Sequence, residues 1–422
     1  MQYILFSIFL IILLIDYKKG VVIYAPFKFF FYEGFQFAGV SFDIAFSLVV
    51  CILFFSKRKT ISVSETFPWK KSFAVLTISG IIFSFYPVFY MGELLRQIFC
   101  IYGYAYIFFC VLSDKQITIT FVSSCAFFTF LLAGNGFVQL LTDVNILGNF
   151  HDQFYNAEFG ENSLVRFGNF GRIRSFCSHS ISYGVECVVF SMLFIYLFLH
   201  YNKILFKKKY FVIVLLGLIG VITSGSRTPL IGMVIMTIPF ILTLGKLESS
   251  KKIILLSAML VFCFVFETYI VQMINSIVNP DASSVEGSNT EGRLEQFAYS
   301  IYLVRDNWLL GYGNVNIMDM KNFDYRILYG AESIWMVTLL QKGLIGIIAY
   351  VYFYVDVFTH LPKSNKIAYS FFVIGWLIID SATSLMGINM FLPIMIITLL
   401  YKLGTNDKLI KNGAVKYSHT SL

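Results

Sequence analysis

Long apolar runs separated by short basic segments dominate the chain and predict a helical membrane protein. A window of about 20 apolar residues can cross the hydrocarbon core as a helix, which satisfies its backbone polar groups without water. The pattern predicts about twelve such spans. They are residues 2–15, 38–55, 72–91, 94–112, 117–141, 181–201, 210–224, 229–245, 253–274, 332–358, 366–384 and 386–401.

The beginning of the chain fits this pattern least well. The first apolar run has no basic residue before it and no small-residue cleavage site after it, so we interpret it as a retained span. The stretch 21–37 is ambiguous, because Pro26 and Lys28 interrupt it. It is either an interfacial or re-entrant segment, or a further crossing.

Composition strengthens the membrane interpretation. Of the 422 residues, 58% are hydrophobic and only 13% are charged. A soluble protein of this length could not bury so much apolar surface, so we expect one integral membrane domain over 1–422 with the lipid bilayer as its partner. The seven cysteines form no CxxC pair, and we expect no disulfide framework, metal site, cofactor or nucleic-acid partner.

Lysines indicate which side each loop faces, because short cytoplasmic loops retain basic residues. They cluster in the connections after every second predicted span and in the tail 402–422. This predicts that both termini are cytoplasmic and that two long loops, 142–180 and 275–331, face outward. Lys18 and Lys19 depart from the pattern.

Arginines follow a different distribution, since seven of the nine lie on the outer side. These seven are Arg166, Arg172, Arg174, Arg227, Arg293, Arg305 and Arg326. A guanidinium offers a planar set of donors that matches phosphate or carboxylate bidentately. The cluster therefore suggests an anionic ligand such as a lipid diphosphate, and the alternative is contact with lipid head groups or with loop carboxylates.

Four acids interrupt the apolar spans, namely Asp43, Glu186, Glu267 and Asp380. Intramembrane acids are costly and usually face a cavity or a partner. All four fall toward the predicted outer ends of their spans. They indicate either a hydrated chamber open to the outside or a set of local caps and pairs.

Each outer loop contains a recognisable segment. In the first, "NFGRIRSFCSHSISYG" holds Arg172, Arg174 and His179 just before a span. In the second, "RLEQFAYSIYLVRDNWLLGYGN" has helical periodicity with Arg293 at its start and Arg305 near its end. We interpret the "GYGN" that follows as a turn, because no strand precedes it.

These segments, together with "TSGSRTPLIG" and "AESIWMVTLLQKGLIG", resemble the O-antigen polymerase and ligase superfamily of bacterial envelope polysaccharide synthesis. The resemblance covers most of the chain. It implies an all-α polytopic fold of the GT-C-like kind in the cytoplasmic (inner) membrane. It also implies a metal-independent inverting glycosyltransferase that uses oligosaccharides linked to polyprenyl diphosphate, with a chain-length regulator as a further candidate partner.

Several residues fall on motif positions of that superfamily. Arg174, Arg227 and Arg293 lie where it carries functional arginines, and Arg172 and Arg305 are additional candidates for substrate binding. The ligase branch typically carries a histidine where the second loop enters the next span, whereas this chain has Ala331, Glu332 and Ser333. The departure favours a polymerase of the Wzy type. Glu332 is then the candidate base, with His179 as the alternative.

Two other functions compete with a polymerase. A ligase would share the fold and the lipid-linked substrate. A transporter or flippase would also have about twelve spans with intramembrane acids, but carriers commonly show two similar halves, and we find no such similarity here.

Overall fold

A computed structural model describes residues 2–31, 36–37, 40–57, 67–87, 89–112, 114–152, 165–167, 170–201, 205–243, 290–313, 333–362, 366–383 and 391–405, with a few isolated positions between 249 and 327. Its longer elements are helices. They are α1 (Gln2–Ile15), α2 (Tyr17–Phe31), α3 (Phe42–Lys57), α4 (Lys70–Phe85), α5 (Met91–Leu95), a π-helix (Arg96–Gly103), α6 (Tyr104–Val111), α7 (Lys115–Thr142), α8 (Ile146–Asp152), α9 (Ser180–Tyr201), α10 (Tyr210–Thr223), α11 (Arg227–Thr243), α12 (Thr290–Val304), a 3-10 turn (Arg305–Asn307), α13 (Ile334–Thr359), α14 (Lys366–Ser381) and α15 (Phe391–Thr405).

The strands that the structure describes are very short. β1 (Gln36–Phe37) pairs antiparallel with β2 (Val40–Ser41), and β3 (Val165–Phe167) pairs antiparallel with β4 (Phe170–Gly171). Both pairs lie in connections between helices. The predicted all-α architecture is therefore confirmed apart from these two small ribbons.

Every predicted span contains one of these helices except 253–274, which lies almost wholly outside the described residues. Four helices among those described are long and apolar enough to cross a membrane. They are Met91–Val111, Lys115–Thr142, Ser180–Tyr201 and Ile334–Thr359. Shorter apolar helices of 10 to 17 residues accompany them. The total of twelve spans stays a prediction.

The ambiguous stretch after the first span is helical as far as Phe31, in spite of Pro26 and Lys28. The lysine is fully buried, and its Nζ lies 2.5 Å from Asp43 Oδ1 and 3.0 Å from Ser47 Oγ on α3. Pairing with α3 therefore allows a charged residue to be buried in the last turn of a packed helix. Nothing in the sequence indicated which acid would pair with Lys28.

The direction of α1 differs from the prediction. α1 and α2 form a tight hairpin in which a Cβ on Gly20 would lie 2.9 Å from the side chain of Leu13. Tyr17, just after the hairpin tip, lies beside Lys57, while Phe6 packs on Phe42 at the opposite end of α3. The predicted cytoplasmic start of α1 and the predicted cytoplasmic position of the Lys57 end are therefore incompatible. If the Lys57 end is cytoplasmic, α1 begins on the outer side. Lys18 and Lys19 at the tip then obey the sorting rule.

The helix α9 lies at the centre of the fold, with most of its side chains buried. Glycines allow its neighbours to approach closely. A Cβ on Gly220 of α10 would lie 2.7 Å from Cys187 Sγ and 2.8 Å from the Tyr183 hydroxyl. Such close packing on small residues is typical of helices in membranes. It fixes α9 and α10, and with them the loops at their outer ends.

The helix α13 is broken at Gly343, whose φ of 59° and ψ of −156° are not helical. Trp335 and Tyr354 would be about 28 Å apart on one straight helix, yet their ring centroids are 6.2 Å apart. The segment before Gly343 therefore folds back along the segment after it. For this reason the length of α13 overstates how far it reaches across a bilayer.

The "LLGYG" segment supplies the backbone partners that this break requires. The N–H of Tyr312 donates to the carbonyl of Leu340 over 2.7 Å, and that of Gly313 donates to Gln341 over 2.8 Å. In return, the N–H of Leu344 donates to the carbonyl of Trp308 over 2.9 Å. The predicted turn is confirmed, and its role is to satisfy the interrupted helix, since irregular backbone in a membrane protein must be paired within the protein.

Candidate functional site

The loop between β4 and α9 contains Arg172 and Arg174, and we call it the arginine loop. It lies alongside the turn that joins α10 to α11. The N–H of Ile173 donates to the carbonyl of Thr223 over 3.0 Å, and Arg172 Nη2 donates to Ser226 Oγ over 3.1 Å. Helix α11 begins at the next residue, Arg227. These contacts bring the "RIR" segment of the first outer loop beside the arginine of "TSGSR".

Local sequence makes this close approach possible. Gly225 has a φ of 62°, in the left-handed region that favours glycine, and a Cβ there would lie 3.1 Å from Cγ of Arg172. The N–H of Ser226 donates to Ser224 Oγ over 3.3 Å, which closes the turn. Pro229 lies in the first turn of α11, where its missing N–H costs no intrahelical hydrogen bond.

A buried polar network, formed by Asn135, Gln139, Asn145 and Ser175, holds the other side of the loop. Asn135 Nδ2 donates to Asn145 Oδ1 over 2.8 Å and to Ser175 Oγ over 3.0 Å. Asn145 Nδ2 donates to the carbonyl of Ser175, whose N–H donates to Gln139 Oε1 over 3.1 Å. Because α7 carries Asn135 and Gln139, this network ties the arginine loop to a long helix.

The resulting surface suits an anion. Arg174 and Arg227 are partly exposed, and Arg174 Nη1 donates to the carbonyl of Cys177 over 3.3 Å. The start of α11 adds the partial positive charge of a helix N-terminus. Guanidinium groups beside such a helix end can bind phosphate oxygens through charge-assisted hydrogen bonds.

Residues 188–351 match the family model described as O-antigen ligase. This part of the chain is thus similar to the O-antigen ligase and polymerase superfamily. No curated protein matches the chain significantly. The match supports, at a coarse level, a membrane enzyme of ligase or polymerase type that acts in polysaccharide biosynthesis on lipid-linked oligosaccharides.

The part that matches this superfamily contains Arg227 but begins after the "RIR" loop. Because Arg172 hydrogen-bonds to Ser226 and Ile173 to Thr223, the loop is nevertheless in direct contact with the matched region. The candidate site thus spans the boundary of the match.

His179 lies at the start of α9, where its Nδ1 accepts a hydrogen bond of 3.1 Å from the N–H of Ile181. This contact caps the first turn of the helix. A role as base would therefore have to use Nε2, and that role stays a prediction.

The remaining predicted residues lie in the second outer loop. Arg293 is partly buried in the first turn of α12. Arg305 is exposed, with its guanidinium 4.5 Å from the ring centroid of Tyr302 and 3.7 Å from Asp306. These local partners of Arg305 do not belong to the turn before α11. Glu332 lies outside the described residues, so its role also stays a prediction.

Three of the four intramembrane acids have local partners and are almost fully buried. Asp43 pairs with Lys28, and Asp380 accepts hydrogen bonds from Tyr354 and from Trp376 Nε1. Glu186 accepts from the thiol of Cys177. Their burial and these partners favour the alternative of local pairs for these three acids, and the hydrated chamber stays a prediction. Glu267 is exposed.

Sequence reasoning missed two features of the site. It assigned no role to Asn135, although an asparagine between two glycines in a long apolar run is an unusual signal. It also treated Cys177 and Glu186 as unrelated residues, although the fold brings their side chains within hydrogen-bond distance. Burial raises the pKa of the Cys177 thiol, so this group stays protonated and can donate to the carboxyl group of Glu186.

Proposed function

We propose that this protein is a polysaccharide polymerase that joins oligosaccharide repeat units carried on polyprenyl diphosphate, at the outer face of the bacterial cytoplasmic membrane. The observation that carries the proposal is the contact between the "RIR" loop and the turn before α11. Two separate motifs of the superfamily place arginines beside one helix N-terminus there. A diphosphate is the anion in a lipid-linked donor that such a site would recognise.

The reaction is a displacement at the anomeric carbon of the growing glycan. A hydroxyl oxygen of the next repeat unit attacks that carbon, and the bond from the carbon to the diphosphate oxygen breaks. The electron pair leaves with the polyprenyl diphosphate, and the hydroxyl proton passes to a base. Arg174 and Arg227 stabilise the charge that develops on the leaving group, and fixed cations in a site shielded from water do so strongly. Arg293 is a third candidate for that contact.

The other candidates have different roles. Arg172 is a positioning residue, because its guanidinium holds Ser226 at the start of α11. Glu332 is our candidate base, with Nε2 of His179 as the alternative. The reaction needs no metal in this scheme, since the arginines neutralise the leaving group.

A glycan gel tests the proposal in a strain that lacks this protein. The strain is complemented with wild type, Arg227→Ala, Arg227→Lys, or the control Arg96→Lys. Arg96 lies 3.2 Å from Glu93 and belongs to the π-helix, not to the loop and turn that form the described site. We expect wild type and the control to restore a ladder of long chains. Arg227→Ala should leave single repeat units, and Arg227→Lys should restore little if bidentate contact matters.

Ligation is the second candidate, because the matching family model is described as O-antigen ligase. The gel separates the alternatives. Free polymer that accumulates on its lipid carrier in the deletion strain would indicate a ligase. Absence of repeat units from the outer surface would indicate a transporter or flippase, and a normal ladder with Arg227→Ala would contradict the assignment of this arginine.

A further inference from the structure

A long apolar groove with a volume of about 880 Å³ lies between the α1–α2 hairpin and α7. Along α7, its lining runs from Gln116 to Leu131, a rise of about 22 Å. Ile8 of α1 also lines the groove and is 46% exposed. The groove is therefore open to the lipid that surrounds α1.

Three hydroxyl side chains of α7 line this groove, and each has a partner within the protein. Thr120 donates to the carbonyl of Gln116 over 2.9 Å, and Ser124 donates to the carbonyl of Ile23 over 2.7 Å. Ser123 shares a hydrogen bond of 3.3 Å with Tyr210. Apolar side chains form most of the remaining wall. The chemistry of the groove thus favours a hydrocarbon without polar groups.

One end of the groove reaches the arginine loop. Phe176, two residues after Arg174, lines this end together with Phe150 of α8. Its ring centroid is 5.0 Å from that of Phe30 and 5.8 Å from that of Phe128. A hydrocarbon chain in the groove would therefore end beside the site that we assign to the diphosphate.

We propose that this groove binds the polyprenyl tail of the lipid-linked substrate. The proposal rests on the proposed function, because it connects the tail to the diphosphate site. Length favours this occupant over a phospholipid acyl chain. One leaflet is about half of the hydrocarbon core of roughly 30 Å, so an acyl chain would fill about 15 Å of the groove. A polyprenyl chain is long enough to occupy all of it.

Photo-crosslinking of the full-length protein in nanodiscs tests the proposal. The probes are a diazirine-bearing polyprenyl diphosphate, the corresponding polyprenol, and a diazirine-bearing phosphatidylethanolamine. We expect both polyprenyl probes to label groove residues such as Ile119 and Phe127 more strongly than the phospholipid does. Equal labelling by all three would overturn the proposal and identify the groove as an ordinary lipid contact.

A second test of the proposal uses variants whose side chains fill the groove. Leu131→Trp adds bulk inside it, whereas Phe130→Trp adds bulk to a neighbouring position that is half exposed and outside the lining. We expect the first to reduce polyprenyl labelling about tenfold, a change that overpacking is large enough to cause. The control should label normally. Ile119→Trp fills the inner half and replaces the first variant if Leu131→Trp does not fold.

The two proposals can fail separately. If the groove binds the tail but the arginines do not bind diphosphate, the polyprenol probe still labels the groove and Arg227→Ala labels like wild type. If the diphosphate site is correct but the groove does not bind the polyprenyl tail, the Leu131→Trp variant is still labelled and still produces long polymer. Arg227→Ala, by contrast, produces no long polymer. The second result would overturn the assignment of the groove alone.

Discussion

Lys28 and the arginine loop hold positive charge in two different ways. Lys28 is fully buried, pairs with Asp43 at 2.5 Å, and has its Nζ 4.2 Å from the ring centroid of Tyr104. Arg174 and Arg227, by contrast, lie near the starts of α9 and α11 and are partly exposed. Backbone and hydroxyl contacts position their loop and turn.

The difference separates a structural charge from one that can bind a ligand. A buried ion pair has its charge compensated within the protein, and removing one partner leaves the other uncompensated. A partly exposed guanidinium can exchange water for an incoming anion. The exposure of a cation therefore indicates its role better than its position within an apolar run of the sequence does.

The largest predicted effect comes from breaking the buried pair. Lys28→Met removes the partner of Asp43, and truncating one member of such a pair typically costs about 3–5 kcal/mol. We expect a large fall in the melting temperature of the purified protein in detergent, with little protein in the membrane. The double variant Lys28→Met with Asp43→Leu should recover much of this loss. Equal instability of the single and double variants would contradict the pairing argument.

A glycine of the helix break gives the next largest effect. In Gly311→Ala, the new Cβ would lie 2.6 Å from the backbone N of Gly343, at a φ of 67°. Overpacking and left-handed strain together should cost about 2–4 kcal/mol. Gly134→Ala is the matched control, because nothing lies within 4 Å of its added Cβ. Thermal unfolding should show loss of stability for the Gly311 variant only. Similar unfolding curves for both variants would contradict the close packing of Gly311 against the helix break at Gly343.

The comparison also shows what the sequence could and could not predict. Apolar periodicity located the helices, because a span must be both long and apolar whatever its neighbours are. It left α2 in doubt, because the cost of Lys28 disappears only when Asp43 is known to lie beside it. The same applies to Gly343, whose break is stable only because the backbone at 308–313 lies against it.

For the candidate site, the sequence predicted which residues take part but not how they contact one another. Arginines on the outer side pointed to an anion, since the sorting rule disfavours positive charge there. The sequence could not show that Arg172 hydrogen-bonds to Ser226, 54 positions further along the chain. Nor could it distinguish acids with local partners from acids that line a chamber, because Asp380 meets Tyr354 only in the folded chain.

A smaller effect is expected from the network that holds the arginine loop. Asn135→Ala removes the donor to Asn145 and Ser175, and leaving buried polar groups unsatisfied costs about 1–3 kcal/mol. The chain should still fold but produce shorter polymer, because the loop that carries Arg174 loses its anchor on α7. Glycan gels at matched protein levels measure this. Normal chain length in a destabilised protein would show that the network supports the fold without positioning the arginines.

The smallest effect should come from Ser226→Ala, which removes one acceptor from Arg172 and leaves every charge in place. The net contribution of a single hydrogen bond is typically about 1 kcal/mol, and Arg172 keeps its packing on Gly225. We expect slightly lower stability and a modest shift to shorter chains. Ser370→Ala is the control, since this exposed hydroxyl donates to the carbonyl of Lys366 in its own helix. If Ser226→Ala abolished the polymer while Ser370→Ala did not, the hydroxyl itself would act on the substrate, and Arg172 would belong with the ligand-binding arginines.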